Sequence, residues 1–111
     1  MELLTKEIRE KLPKLYANEN KKPEDIKIIV KFFDPTGSWT WYATEGEPNE
    51  DNTDFTFFGL VRGFENELGY FSLNELKKAK EGMSGMRALP IERDRHFGYE
   101  HSLKEAMDKQ I

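Results

Sequence analysis

The chain has 111 residues, 17 Lys and Arg against 21 Asp and Glu, and no cysteine. That length favours one domain over residues 1–111, and the lack of cysteine excludes disulfides, thiol chemistry and thiolate-bound zinc. Aromatic residues at 13% supply enough large rings for a packed core despite 34% charged residues, which excludes a disordered chain.

A net charge of −4 and a pI of about 5.3 argue against a general phosphate-backbone binder, which carries a basic face. The acidity is also too mild to mark a DNA mimic. No apolar run approaches the ~18 residues of a membrane span, and charges interrupt "MELLTKEIREKL" at once, unlike a signal sequence. A cytoplasmic protein without membrane contact is expected.

In chain order, Thr5 is a helix N-cap, and Ile8, Leu12 and Leu15 with Tyr16 make a helical stripe that Pro13 interrupts. "ANENKKPED" reads as a loop. "IKIIVKFF" (26–33) reads as a strand with Ile26, Ile28, Val30 and Phe32 on one face. "DPTG" (34–37) is a turn. "SWTWYATE" (38–45) is the partner strand, with Trp39, Trp41 and Ala43 opposite Thr40, Tyr42 and Thr44.

"GEPNEDNTD" (46–54) reads as an acidic hairpin loop. "FTFFGLVRG" (55–63) is apolar on both faces, as a central strand is. A short strand is expected around Tyr70 and Phe71. Ser72 with Glu75 forms a capping-box pattern for a second helix, and Phe71 with Leu76 a hydrophobic staple. "EGMSGMR" (81–87) is a helix stop and connector. "LPIERDRHF" is extended or irregular because Pro90 keeps Leu89 out of the helical region. Ser102 with Glu105 opens a last short helix. The order predicts an α+β fold: an antiparallel sheet of about four strands, with an N-terminal helix, a helix after the sheet and a short C-terminal helix.

Four stretches, "LLTKEIREKL", "VKFFDPTGSWTWYATE", "ELGYFSLNEL" and "LPIERDRHF", occur in the order found in a bacterial family and span nearly the whole chain. In these the chain resembles the domain of unknown function numbered twenty-nine fifty-eight. The last two stretches are the specific part, and Tyr70, Glu92, Arg93, Asp94, His96 and Phe97 match the family pattern. The resemblance implies small proteins of plasmids, phages and conjugative elements, some joined to DNA-processing proteins. It assigns no activity and no catalytic residue.

Several side-chain sets are candidates. If "IERDRHF" is extended, Ile91, Arg93, Arg95 and Phe97 face one way and Glu92, Asp94 and His96 the other. Its leading reading is a salt-bridged brace with a partner-facing edge, in which Ile91 and Phe97 are anchors and Arg93 is tied by its fork of donors. A partner surface including Arg95, or a His96–carboxylate pair acting as general base, are the alternatives. A metal held by His96, His101 and Asp94 or Glu100 lacks a recognised ligand spacing. Trp39, Trp41 and Tyr42, with Lys27 and Lys31, admit stacking on unpaired bases, against the plainer reading of core aromatics. Glu45, Glu47, Glu50, Asp51 and Asp54 read as a solvated hairpin tip, with a basic partner or Ca²⁺ as alternatives, though the alternation of an EF-hand is missing.

No phosphate loop, dinucleotide fingerprint or nucleophile elbow occurs, so no cofactor is expected. The leading functional expectation is a non-catalytic binding module of a mobile genetic element that docks on a protein partner. A host DNA-processing or defence component, a nuclease or CRISPR effector, is its specific form. Candidate binding residues are Tyr70, Glu92, Arg93, Asp94, Arg95, His96, Trp41 and Tyr42. The alternatives are a small hydrolase or nuclease using His96 with Asp94 or Glu92, and a single-stranded nucleic-acid binder using the aromatics from Trp39 to Tyr42.

Overall fold

Four strands of alternating pattern, β1 (Val30–Phe33), β2 (Thr40–Pro48), β3 (Phe55–Arg62) and β4 (Asn66–Ser72), follow one another along the chain, and a two-residue strand, β5 (Glu92–Arg93), comes later. A computed structural model describes residues 1–111. The strands form one antiparallel sheet in the order β4-β3-β2-β1-β5. The three helices are α1 (Lys6–Lys11), α2 (Leu73–Lys78) and α3 (Leu103–Asp108). The fold is α+β, with each helix where the capping residues put it and one strand more than the sequence pattern indicates. No helix is long and apolar enough to cross a membrane.

Each helix is only six residues long, too short to persist alone, so its caps and its packing decide its existence. Thr5, Ser72 and Ser102 each accept a backbone N–H at the third helical position. At Ser102 the box is complete, because Glu105 also accepts the Ser102 N–H. α1 and α2 lie against one face of the sheet, where Leu3, Ile8, Leu12, Phe32, Phe55, Phe57, Phe71, Leu76 and Ile91 are buried together. The Phe57 ring stacks on Phe71 at 5.2 Å and meets Phe32 edge-on at 5.4 Å. α3 covers the other face over Ile26, Ile28, Tyr42 and Leu60. Arg62 fixes the end of α3 by donating to the carbonyls of Ala106 and Lys109, where a cation also meets the negative end of the helix dipole.

Two expectations about the strands need correction. Ile26, Ile28, Val30 and Phe32 do not share a face: Ile26 and Ile28 pack beneath α3, and Val30 and Phe32 join the opposite cluster. The regular strand starts only at Val30, because the Ile28 N–H is taken by His101 and the Ile29 N–H by Ala43, which breaks the two-residue alternation. The long acidic loop is also shorter than expected, since β2 runs on to Pro48. Asp54 at its end is a structural anchor, accepting the N–H groups of Phe55 at 2.7 Å and of Asn74 at 3.0 Å.

Two carboxylates tie the loops down. Lys80 reaches from beyond α2 to Asp34 at 2.8 Å and to the Arg87 carbonyl at 3.0 Å, joining the turn between β1 and β2 to the connector after α2. Burial alone would raise the Asp34 pKa, but the Lys80 ammonium and the Thr36 N–H outweigh it and hold the carboxyl below its ordinary value. Asp54 is lowered in the same way, burial being outweighed by the Asn74 and Phe55 N–H groups.

Two outcomes follow for stability. Phe57→Ala should cost about 3–5 kcal/mol in urea-induced unfolding, because three rings lose a common neighbour. A loss below ~1 kcal/mol would mean that the cluster closes over the gap. Asp34 and Asp54 have depressed folded-state pKa values, so the stability they contribute is complete above the unfolded value. It should be lost as pH falls through the lower folded values, below about pH 4. Thermal melts across that range should show the decline, and Asp34→Asn with Asp54→Asn should flatten it.

Candidate functional site

Beyond Ala43, β2 has no strand on its β1 side, because β1 pairs only with Thr40–Ala43. A buried backbone edge must find partners, and the segment after α1 supplies them. The Gly46 N–H donates to the Pro13 carbonyl at 2.9 Å. Glu47 accepts the Leu15 N–H at 2.9 Å, and Glu45 accepts the N–H groups of Tyr16 at 2.8 Å and Asn18 at 2.9 Å. Asn18 closes the junction by donating to the Thr44 carbonyl at 3.4 Å.

A bulge makes this possible. Ala43 pairs with Gly59 and Glu45 with Phe58, so Thr44 is the extra residue and the side chain of Glu45 is re-aimed. Gly59 is required opposite it: a Cβ there would lie 1.7 Å from the Tyr42 carbonyl oxygen. Glu45 is therefore not part of a solvated hairpin tip. It is only 4% exposed, and its carboxylate holds the turn that brings Tyr16 over the sheet. Tyr16 adopts φ +72°, a left-handed conformation that a bulky residue takes only when its surroundings compel it.

Between this turn, the sheet and α3 lies a cavity of about 320 Å³. Ile26, Phe58, Leu68 and Leu103 give it an apolar floor, and Tyr16, Tyr70, Glu19 and Glu45 contribute to its rim and wall. The Tyr16 and Tyr70 rings meet edge-on at 6.5 Å, and Tyr70 also meets Phe58 at 5.0 Å. Leu68 and Tyr70 are about half exposed, so the aromatic rim opens directly to the outer strand. The Tyr70 phenol is held above its ordinary pKa, first by the Tyr16 hydroxyl, then by desolvation and by the negative charges of Glu45 and Glu19.

The other expected site residues are scattered. Only Glu92 and Arg93 of "IERDRHF" are in a strand, against Phe33 and Phe32. The chain then turns, because Asp94 accepts the His96 N–H on its side chain and the Phe97 N–H on its carbonyl, so the alternation expected through His96 stops at Asp94. Ile91 is buried, Phe97 is half-buried against Tyr42, and Arg93 donates to the Glu2 carbonyl. Asp94 faces Lys31 at 3.7 Å. Arg95 and His96 are exposed, and the His96 ring has no carboxylate partner. Glu92 lines a separate cavity with Leu3, Leu73 and Ile91. His101 packs on Phe97 at 4.5 Å and pairs with Glu105 at 3.1 Å, far from any joint ligand set with His96: no group of three or more His, Asp or Glu is placed to hold a metal ion.

The aromatic set also divides. Tyr42 is wholly buried and donates its hydroxyl to the Ile111 carbonyl, so it cannot stack on a base. Trp41 is half-buried against the first core, and Trp39 stands beside the exposed Phe64 at 5.4 Å, with Glu65 and Glu67 lining the same hollow. Those two acids oppose a phosphate backbone there.

Of the eight candidate binding residues, Tyr70 alone lines the cavity beneath Tyr16, and Glu45, expected in a solvated hairpin tip, forms part of its wall. Tyr16, Glu19, Glu45, Phe58 and Leu68 were missed as a set, because they come from four separate stretches: the turn after α1, β2, β3 and β4. One signal was available: a lone Gly59 inside a strand pattern marks a bulge, and a bulge re-aims a neighbour. Replacing Glu45 by Ala strands one buried N–H group, at Asn18, and one half-buried one, at Tyr16. A fully buried group costs about 1–3 kcal/mol and a half-buried one less, so Glu45→Ala should lose about 2–4 kcal/mol in chemical denaturation. Glu50→Ala on the exposed loop tip should stay within roughly 0.5 kcal/mol. Equal effects would show that the turn is held by something other than the carboxylate.

No curated protein and no solved structure matched the chain. The family described as "Protein of unknown function (DUF2958)" matches residues 3–109, nearly the whole fold from Leu3 in the first core to Lys109 beneath Arg62. This chain belongs to that family.

Proposed function

We propose that this chain is a non-catalytic binding module of a mobile genetic element that docks on a protein partner. The docking face is the one formed by Tyr16, Leu68 and Tyr70 around the cavity. One observation carries the reading: large apolar side chains stay exposed beside a preformed hollow, on a rigid strand and a pinned turn. Clustered exposed aromatic and aliphatic groups are what protein interfaces use as anchors. The Glu45 carboxylate is committed to two backbone N–H groups, which suits holding a wall in place rather than moving protons. The mobile-element setting rests on the family resemblance, and a host DNA-processing or defence component, such as a nuclease or CRISPR effector, is the partner class that setting favours.

Affinity capture from host lysate tests this with paired baits, the parent chain and a Leu68→Arg, Tyr70→Arg double variant. Both sites are exposed, so the variant should melt close to the parent. Loss of aromatic anchors typically costs at least ~2 kcal/mol, or about thirtyfold in affinity. A partner held by the parent should therefore be missing from the variant. Identical recoveries from the two baits, or no specific recovery, would remove the docking face.

A further inference from the structure

A sheet with two edges offers two places for another strand to add, and proteins normally blunt both. Here they differ. At the β5 edge the strand is two residues long, and Met1 and Glu2 cover it: the Arg93 N–H meets the Met1 sulfur at 3.1 Å and its guanidinium holds the Glu2 carbonyl. At the other edge, β4 runs for seven residues in unbroken register with β3, from Asn66 opposite Arg62 to Ser72 opposite Thr56. It has no proline and no bulge, and Asn66, Glu67, Leu68 and Tyr70 are all exposed. Its midpoint, Gly69, is open as well, since a Cβ there would meet no atom within 4 Å.

The two faces of that edge are also unlike. Leu68 and Tyr70 point to the face that carries the cavity, so the alternate side chains of an added strand would lie beside them and over its mouth. The surroundings are acidic: Glu65 and Glu67 stand along the edge, and Glu19 and Glu45 line the cavity, where Lys21 is the one basic residue. A long basic side chain has an aliphatic stem for the Phe58 and Leu68 floor and a cationic head for tyrosine faces and carboxylates. A second copy of this chain would instead bring two acidic edges together.

We propose that β4 takes up an extended, basic segment of the partner as a sixth strand, and that one Lys or Arg of that segment enters the cavity beside Tyr16 and Tyr70. This rests on the docking reading above and names its ligand class: a β-prone peptide with basic residues at alternate positions.

Fluorescence anisotropy with the full chain tests it, using labelled octapeptides of alternating Lys and Val, and of alternating Glu and Val. The Lys peptide should bind and the Glu peptide should not. Raised salt should weaken the complex, and so should Glu67→Lys, Glu19→Lys or Tyr70→Ala, by about tenfold or more. The decisive comparison is N-methylation of the Lys peptide at one or the other set of alternate amides. Only one set faces β4, so one should abolish binding and the other leave it nearly intact. Equal effects of the two sets, equal binding of the Glu peptide, or no binding of either would overturn the added strand. Concentration-dependent dimerisation in sedimentation, lost in the Leu68→Arg, Tyr70→Arg variant and unaffected by the Lys peptide, would overturn it in favour of a second copy. If the peptides fail while capture of a partner still depends on Leu68 and Tyr70, the added strand falls and the docking face stands.

Discussion

A buried carboxylate that collects backbone N–H groups organises the most distinctive part of this fold. The far half of β2 leaves its β1-side edge without a strand, and Glu45 and Glu47 fasten the chain after α1 into that gap. Burying a carboxylate is unfavourable unless hydrogen bonds replace its water. Once Glu45 points inward, the turn at Tyr16 to Asn18 must supply donors, and it does so at the expense of a left-handed tyrosine. The cavity, the tyrosine pair and the exposed rim all depend on that one turn.

The bulge at Thr44 and the glycine opposite it are the cause one level down. Without the extra residue, Glu45 would follow the alternation of β2 and the wall over Phe58 would be lost. The same irregularity leaves β3 and β4 undisturbed, and β4 emerges as a regular open edge. Local distortion in the middle of the sheet and regularity at its margin thus have complementary effects. One builds a pocket and the other leaves a strand beside it accessible.

Much of the scaffold was legible from local chemistry. Thr5, Ser72 and Ser102 mark three helix starts because a hydroxyl oxygen two or three residues before free N–H groups is a purely local device. β3 was recognisable as central from apolar side chains on both faces. The turn at Asp34 followed from proline at its second position. By contrast, periodicity failed at Ile26 to Ile29, where hydrogen bonds to His101 and Ala43 switch the chain from one face to the other. It failed again at Asp94, where a side-chain acceptor turns a segment whose alternating charges look extended.

The sequence by itself determined the α+β class, the helix caps and the approximate places of four of the five strands, because each of these depends on residues within a few positions of one another, and the order of its specific stretches carried the family membership. Only the tertiary structure decided that Glu45 is buried, that Tyr42 is sealed beneath α3, that His96 lacks a carboxylate, and that Tyr16, Phe58, Leu68 and Tyr70 surround one hollow. Those outcomes depend on which strand edges remain unpaired after the sheet forms, and on the backbone donors that a segment 27 to 32 residues away brings to fill them. Neither quantity is written in any local pattern of the chain.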